Sequence, residues 1–269
     1  MARDSVGQTL TVATILCVVC SVLVSSAAVG LRGRQEANKK QDQMKNVLVA
    51  AGLFREEENT AGGVNAIFEE NIQRVLIDLE TGEPTDPNPV DAETYDQREA
   101  ARKPDLSAPV QPPDGLGGIK RREKYAFVYE VRDDSGQVEQ VVLPIYGKGL
   151  WSTLYGFIAV DKDGRTVRGI TFYQHGETPG LGGEVDNPRW KALWKGKRLF
   201  DESGRIEIDV IKGVVVAGTA KAQYQIDGLS GATITSNGVE QLVRYWVGPD
   251  GFGPFLKNLR QSAPGGIDG

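Results

Sequence analysis

The sequence predicts an α+β protein, a single N-terminal transmembrane helix followed by an antiparallel-sheet domain with flanking helices. Three observations carry that prediction. No charged residue lies between Ser5 and Leu31, and 15 of the 21 residues from Leu10 to Gly30 are Ala, Val, Ile, Leu or Cys. Four runs rich in Val, Ile, Phe and Tyr follow one another between Tyr125 and Gln174, separated by Asp/Gly turn signals. A hydroxyl-rich segment, Asp227–Ser236, then leads straight into a stretch with helical apolar spacing.

Composition bounds the rest. A chain of 269 residues holds one or two folded units, and 40% hydrophobic with 25% charged residues excludes wholesale disorder and a polytopic membrane protein. The balance of 31 basic against 36 acidic residues gives a net charge of −5 and a pI near 5.2, which argues against a nucleic-acid partner. Cys17 and Cys20 both sit in the apolar segment, so the soluble part has neither a disulfide nor a Cys-based zinc site. His175 is the lone histidine, which removes metal sites needing several imidazoles; no metal is expected.

The elements follow in order. About 20 apolar residues cross a bilayer as a helix, so residues 1–34 read as a membrane anchor. A cleaved signal peptide is the rival, but the apolar run exceeds the usual length and Asp4 offsets Arg3. Residues 35–52 continue as a helix ended by Gly52, and Val64–Glu70 is helical before a strand at Ile72–Leu79. Within the region 35–123, seven of the 13 prolines fall in residues 84–113 among many carboxylates, which predicts an extended surface excursion. The second domain, 124–262, opens with strands at Tyr125–Arg132, Val138–Pro144, Tyr155–Asp161 and Thr166–Gln174, with hairpin turns at 133–136 and 161–164. A short helix at Pro188–Trp194 follows, then a strand at Ile206–Val216. The helix Ser236–Val247 places Val239, Leu242, Val243 and Trp246 on one face. Residues 263–269 read as a flexible tail.

Chemistry concentrates in Asp227–Ser236. A helix N-terminus offers free N–H groups and partial positive charge, suited to a phosphate. Gly231 and Ala232 permit close approach, while Ser230, Thr233, Thr235 and Ser236 supply hydroxyls. The plainer reading is a Ser/Thr capping loop. No Lys follows at P-loop spacing, which disfavours a nucleoside triphosphate. Trp151, Trp190 and Trp194 suit either the core or an interface, and Trp246 the core.

The run Ser230-Gly-Ala-Thr-Ile-Thr235, preceded by Asp227, resembles the flavinylation motif of the FMN-binding domain family, as found in the C subunit of sodium-translocating NADH:quinone reductases. Two further stretches, Gly147–Gly156 and His175–Glu184, are similar to other signatures of that family, so the resemblance covers essentially the whole chain. The G subunit of the Rnf ferredoxin:NAD reductase shares the threonine motif and is the nearest alternative, although Gly-Leu-Trp-Ser and the long acidic insertion favour the sodium-translocating enzyme. A non-catalytic, membrane-tethered binding or assembly module is the alternative of a different class.

The resemblance implies FMN joined by a phosphoester to Thr235 by a separate flavin transferase that uses FAD and magnesium. The residues themselves agree with it: Ser230, Gly231, Ala232, Thr233 and Ser236 suit the phosphate, Leu181 suits the face of the ring, and Thr178 with backbone N–H groups suits its polar edge, while Glu177 and Glu184 are candidates to tune the flavin potential, with exposed loop charges as the plainer reading. No residue of the chain is then a catalytic acid or base. The flavin relays single electrons between iron-sulfur and flavin carriers of partner subunits in an inner-membrane translocase that moves electrons from NADH to ubiquinone and transports sodium. The single anchor has no carboxylate, so the sodium path falls to those partners. Orientation divides the two lines of argument. Arg32, Arg34, Lys39, Lys40 and Lys45 outnumber Arg3, which places the bulk of the chain in the cytoplasm, whereas the resemblance places it in the periplasm.

Overall fold

The computed structural model describes residues 5–54, 63–85, 89–110, 119–133 and 135–262. The chain divides into two compact units, Met1–Gln43 and Met44–Gly269. The anchor and the helix expected at 35–52 are one helix, α1 (Val6–Ala51), long and apolar enough in its first half to cross a membrane. It stops where Gly52 takes φ +73°, a left-handed conformation that costs glycine little.

In the second unit α2 (Val64–Asn71) runs directly into β1 (Ile72–Asp78). A five-stranded antiparallel sheet has the order β1-β4-β5-β6-β7, with β4 Tyr125–Arg132, β5 Val138–Lys148, β6 Thr153–Asp161 and β7 Val167–Gln174. Strand β1 pairs with β4 from Ile72 opposite Val131 to Asp78 opposite Tyr125, so the sheet crosses the boundary expected at residue 124. Strand β5 runs past Pro144, which cannot donate to a ladder. The pairing of β4 with β5 ends at Val142, leaving one side of β5 without a partner strand there.

Both faces of the sheet are covered. On one lie Val47, Leu48, Ala50 and Ala51 from the end of α1 with Phe68 of α2, packed on Val142, Phe157 and Ala159. On the other lie α5 (Thr233–Val247), α6 (Gly253–Ser262) and the link between them, bringing Leu242, Val243, Trp246, Phe252 and Leu256 into one core with Leu143, Ile145, Leu154 and Ile158. Two-sided burial explains why Val141–Ile145 reads as a continuous apolar run rather than an alternating one.

Three expectations need correction. The Pro-rich stretch is not simply extended: α3 (Gln97–Ala100), capped by Asp96, and β2 (Ser107–Pro109), paired with β3 (Arg121–Glu123), fold it against the sheet. Residues 86–88 and 111–118 of that region lie outside the described residues, as do Asp134 of the first hairpin turn and the tail 263–269. The strand expected at Ile206–Val216 shrinks to β8 (Asp209–Ile211), paired in parallel with β9 (Gln225–Asp227), because Gly213 turns the chain at φ +98° and leaves Val214 and Val216 exposed. Helix α5 begins at Thr233, three residues earlier than its apolar face suggests. The short helix α4 (Pro188–Ala192) is capped by the Asn187 side chain, and its Trp190 is buried beside Trp194.

Candidate functional site

The early start of α5 places Thr235 in its first turn. The N-cap is Ala232, and no side chain caps the helix, so the capping-loop reading of the hydroxyls does not hold. Ser236 serves the turn instead: its Oγ accepts from Leu229 N at 2.9 Å and donates to Ala232 O at 3.1 Å. Ser230 and Thr233 are exposed. The N–H groups of the first turn thus retain the partial positive charge of an uncapped helix end.

Thr235 is fully buried, and its Oγ1 donates to Glu177 Oε2 at 2.7 Å. Glu177 is also buried, not the exposed loop carboxylate that its surroundings in sequence suggest. It gathers the turn between β5 and β6. Oε1 accepts from Trp151 N at 3.0 Å, Ser152 N at 3.1 Å and Ser152 Oγ at 3.2 Å, and Oε2 also accepts from Leu150 N at 3.2 Å. Desolvation pushes this carboxyl up, but the hydrogen bonds from Thr235 and the three backbone N–H groups outweigh burial and hold its pKa below the usual glutamate range.

Glycines make this junction possible. A Cβ on residue 149 would lie 2.6 Å from Glu177 Oε1, and one on residue 182 would lie 2.6 Å from Thr235 Oγ1 and 2.8 Å from Glu177 Oε2. Gly182 therefore lids the threonine hydroxyl. Thr178 is exposed, and its carbonyl accepts from Leu181 N and Gly183 N, which closes the loop into a tight turn. Leu181 stands over Gly231, where an added Cβ would be 3.1 Å from its Cδ2. Leu150, Trp151, Leu181 and Ile234 are exposed hydrophobics on the loops and helix turn around Thr235.

The structure thus brings Thr235, Glu177, Leu181, Gly231, Ala232 and Ser236 together. Of the remaining candidates, Ser230, Thr233 and Thr178 are exposed on the same loops and helix turn. His175 is tied down: Nδ1 accepts from Glu177 N at 3.2 Å, so in the neutral ring Nε2 carries the hydrogen toward Asp186 Oδ2 at 2.8 Å. Asp227 Oδ1 accepts from Val215 N, and its carbonyl accepts from Trp190 Nε1, so it anchors neighbouring loops. Trp190, Trp194 and Trp246 are core, and Trp151 is 68% exposed. Sequence reasoning missed Ser152, whose Oγ accepts from Gly176 N at 2.7 Å while donating to Glu177, and the lid at Gly182. The Gly149–Ser152 turn was the available signal.

Comparison with known proteins gives a consistent result. Residues 149–248 match the model of the FMN-binding domain, a span that starts at the turn bound by Glu177 and includes Thr235. The chain is 48% identical over 261 residues, 97% of its length and 96% of its relative's, to the C subunit of the Na(+)-translocating NADH-quinone reductase of Yersinia pestis. It is 47% identical to the same subunit of Pseudomonas aeruginosa, covering 96% of this chain and 98% of that one. The crystal structure of Shewanella oneidensis NqrC superposes with a TM-score of 0.74 at 39% identity, covering 84% of this chain and all of that one.

Proposed function

The chain belongs to the NqrC family, the C subunits of the Na(+)-translocating NADH-quinone reductases, and on that premise we propose how its site does the work of a flavoprotein subunit in an electron-transfer complex. FMN is joined through its phosphate to Thr235 Oγ1, by a flavin transferase acting on the folded chain. The observation that carries this reading is a buried threonine hydroxyl, 2.7 Å from a carboxylate, in the first turn of a helix that no side chain caps.

Each residue then has a task. Transfer from FAD would form the bond from Oγ1 to the FMN phosphorus and break the pyrophosphate bond, with AMP as leaving group, and the hydroxyl proton would pass toward Glu177 Oε2, the atom that already accepts it. Because Gly182 covers Oγ1, loading requires loop 178–183 to open. The uncapped N–H groups at the start of α5 would supply partial positive charge to the phosphate. Leu150, Trp151, Leu181 and Ile234 offer apolar surface to a flat ring, and Thr178, Ser230 and Thr233 offer hydroxyls to its polar parts. Bound FMN supplies the centre that takes up and releases electrons one at a time. The protein positions it and sets its potential through charge, hydrogen bonding and burial.

The carriers on either side are iron-sulfur and flavin centres of partner subunits. We place the soluble domain in the periplasm, anchored to the inner membrane by α1, following the family resemblance against the five-to-one charge count. Protease added to intact spheroplasts should digest the domain; protection until lysis would put it in the cytoplasm.

The attachment is tested by intact mass of the full chain produced with active transferase. FMN minus water is the expected addition, lost in Thr235→Ala and retained in Thr235→Ser. An unmodified mass for the wild-type chain would favour the assembly-module reading, and a modified Thr235→Ala chain would move the ester to another hydroxyl.

A further inference from the structure

A second concave site is lined at one edge by Lys148 and Thr153, which flank the β5–β6 turn, and its lining includes neither Thr235 nor Glu177. It is a cavity of about 420 Å³ lined by Arg98, Arg102, Lys120, Arg121, Lys148 and, among its uncharged residues, Tyr155. Among the described residues five cations and no carboxylate line it, in a chain whose net charge is −5. None of the five makes a salt bridge with any of the described residues.

Two of the guanidinium groups are fixed by neutral partners. Arg98 lies 3.7 Å from the centroid of the Tyr155 ring and donates to Gln174 Oε1 and Tyr173 Oη, each at 2.8 Å. Arg121 donates to Ser107 Oγ at 2.8 Å and Ser107 O at 2.9 Å. Both forks are oriented, and among the described residues neither is paired with a carboxylate. Arg102, Lys120 and Lys148 stand exposed around them. Behind the wall Glu123 is buried, and the Tyr146 hydroxyl donates to it at 2.8 Å. Glu123 does not reach the cavity lining.

Pre-oriented guanidinium groups suit planar or tetrahedral oxyanions. Five lining charges overmatch a single carboxylate, and the volume falls in the usual range for small-molecule sites. We propose that this cavity is an anion site for a phosphate-bearing small molecule, separate from the Thr235 site. It stands on its own lining and does not depend on the reading of Thr235.

Pyrophosphate titrated into the full chain in a neutral detergent, followed by calorimetry, should bind saturably at one equivalent. Raising salt from about 50 to about 300 mM should weaken binding, since added ions screen the attraction. The variant Arg102→Gln/Lys148→Gln changes two exposed side chains and should weaken binding at least tenfold. Arg168→Gln, on the far end of the sheet, should leave it unchanged, as should Thr235→Ala. A parallel titration with glycerol 3-phosphate separates the two sources of phosphate: tighter pyrophosphate binding marks a soluble oligophosphate, and tighter glycerol 3-phosphate binding marks a lipid headgroup. Absence of saturable binding of either at millimolar concentration would overturn the proposal. So would binding unaffected by the double variant, binding lost in Thr235→Ala, or tighter binding of a glutamate-rich peptide than of either phosphate.

Discussion

Replacing Glu177 by Gln removes one negative charge and changes almost no volume, so its cost is set by hydrogen bonds that can be counted. The carboxylate accepts five: three at Oε1, from Trp151 N, Ser152 N and Ser152 Oγ, and two at Oε2, from Leu150 N and Thr235 Oγ1. A carboxamide has one oxygen, and its best orientation keeps the three donors at the Oε1 position. Its NH₂ group then faces Leu150 N and Thr235. The threonine hydroxyl rotates and accepts, but the backbone N–H of Leu150 is left without a partner, at about 1–3 kcal/mol. The three bonds that remain lose their charge assistance, roughly half their strength, which adds about 1 kcal/mol. The total is about 2–4 kcal/mol, or about 4–16 °C in melting temperature for a domain of this size.

Melting and urea curves of the full chain produced without flavin transferase isolate this term from any effect of the cofactor. Glu184→Gln is the control, since its carboxylate receives a local bond from Asn187 Nδ2 and should cost under about 1 kcal/mol. Loading should fall as well in Glu177→Gln, because the threonine hydroxyl no longer meets an anionic acceptor. A variant that melts within about a degree of wild type and loads equally would refute the assignment of Glu177 as the hub of the site.

The remaining predictions probe the same framework elsewhere. Gly182→Ala forces a methyl to within 2.6 Å of Thr235 Oγ1; it should cost about 1–3 kcal/mol in urea unfolding and reduce in-gel flavin fluorescence. Leu48→Ala removes a fully buried side chain at the end of α1 and should cost about 2–5 kcal/mol, so truncation at residue 43 should leave the domain folded while truncation at residue 52 should not. The two buried glutamates give opposite pH dependences, read from urea midpoints between about pH 3.5 and pH 8. Glu177 is held low, so its stabilisation is complete above the unfolded glutamate range, about pH 4.3, and is lost as pH falls through its lower folded value. Glu123 is pushed up by desolvation, which its bonds from Tyr146 and Gln97 only partly offset, so the folded chain holds that proton more tightly and stability declines as pH rises through its folded value. Glu123→Gln should flatten the decline on the alkaline side, and Glu177→Gln the loss on the acid side.

What was legible in the sequence was what local pattern controls. The uncharged run from Ser5 to Leu31, the four β-rich runs and the apolar face of α5 all became the expected elements, and the Asp161–Gly164 turn forms with Gly164 at φ +61°. Errors arose where a distant neighbour decides. An apolar stripe marks where α5 meets the core but says nothing of its first turn, which Ser236 Oγ ties to Leu229 N and Ala232 O. Residues 97–109 look like linker by composition, yet Arg98 finds Tyr155 and Tyr173 across the sheet. The strand expected to reach Val216 stops because Gly228 N bonds to Gly213 O, a pairing of residues far apart in the chain.

The candidate site shows the same division more sharply. Thr235 was legible as a motif residue, whereas its environment was not. Its partner is 58 positions upstream, and that partner's other donors lie a further 25 to 27 positions before it. Three stretches that read as separate signatures are therefore one hydrogen-bonded junction, with Glu177 at its centre and a glycine where each backbone must pass it. This arrangement sets two demands against each other. The carboxylate and the lid at Gly182 fix the hydroxyl in place, but they also bury it completely. On the proposed attachment, a hydroxyl so held is reached only by opening loop 178–183, whose closure rests on two bonds to the Thr178 carbonyl and on Leu181, itself 44% exposed. Few buried apolar contacts secure that loop, so it opens at lower free energy than the sheet beneath it. The side of the junction that must yield is thus the weakly held one, while the helix and strand that carry Thr235 and the β5–β6 turn stay rigid.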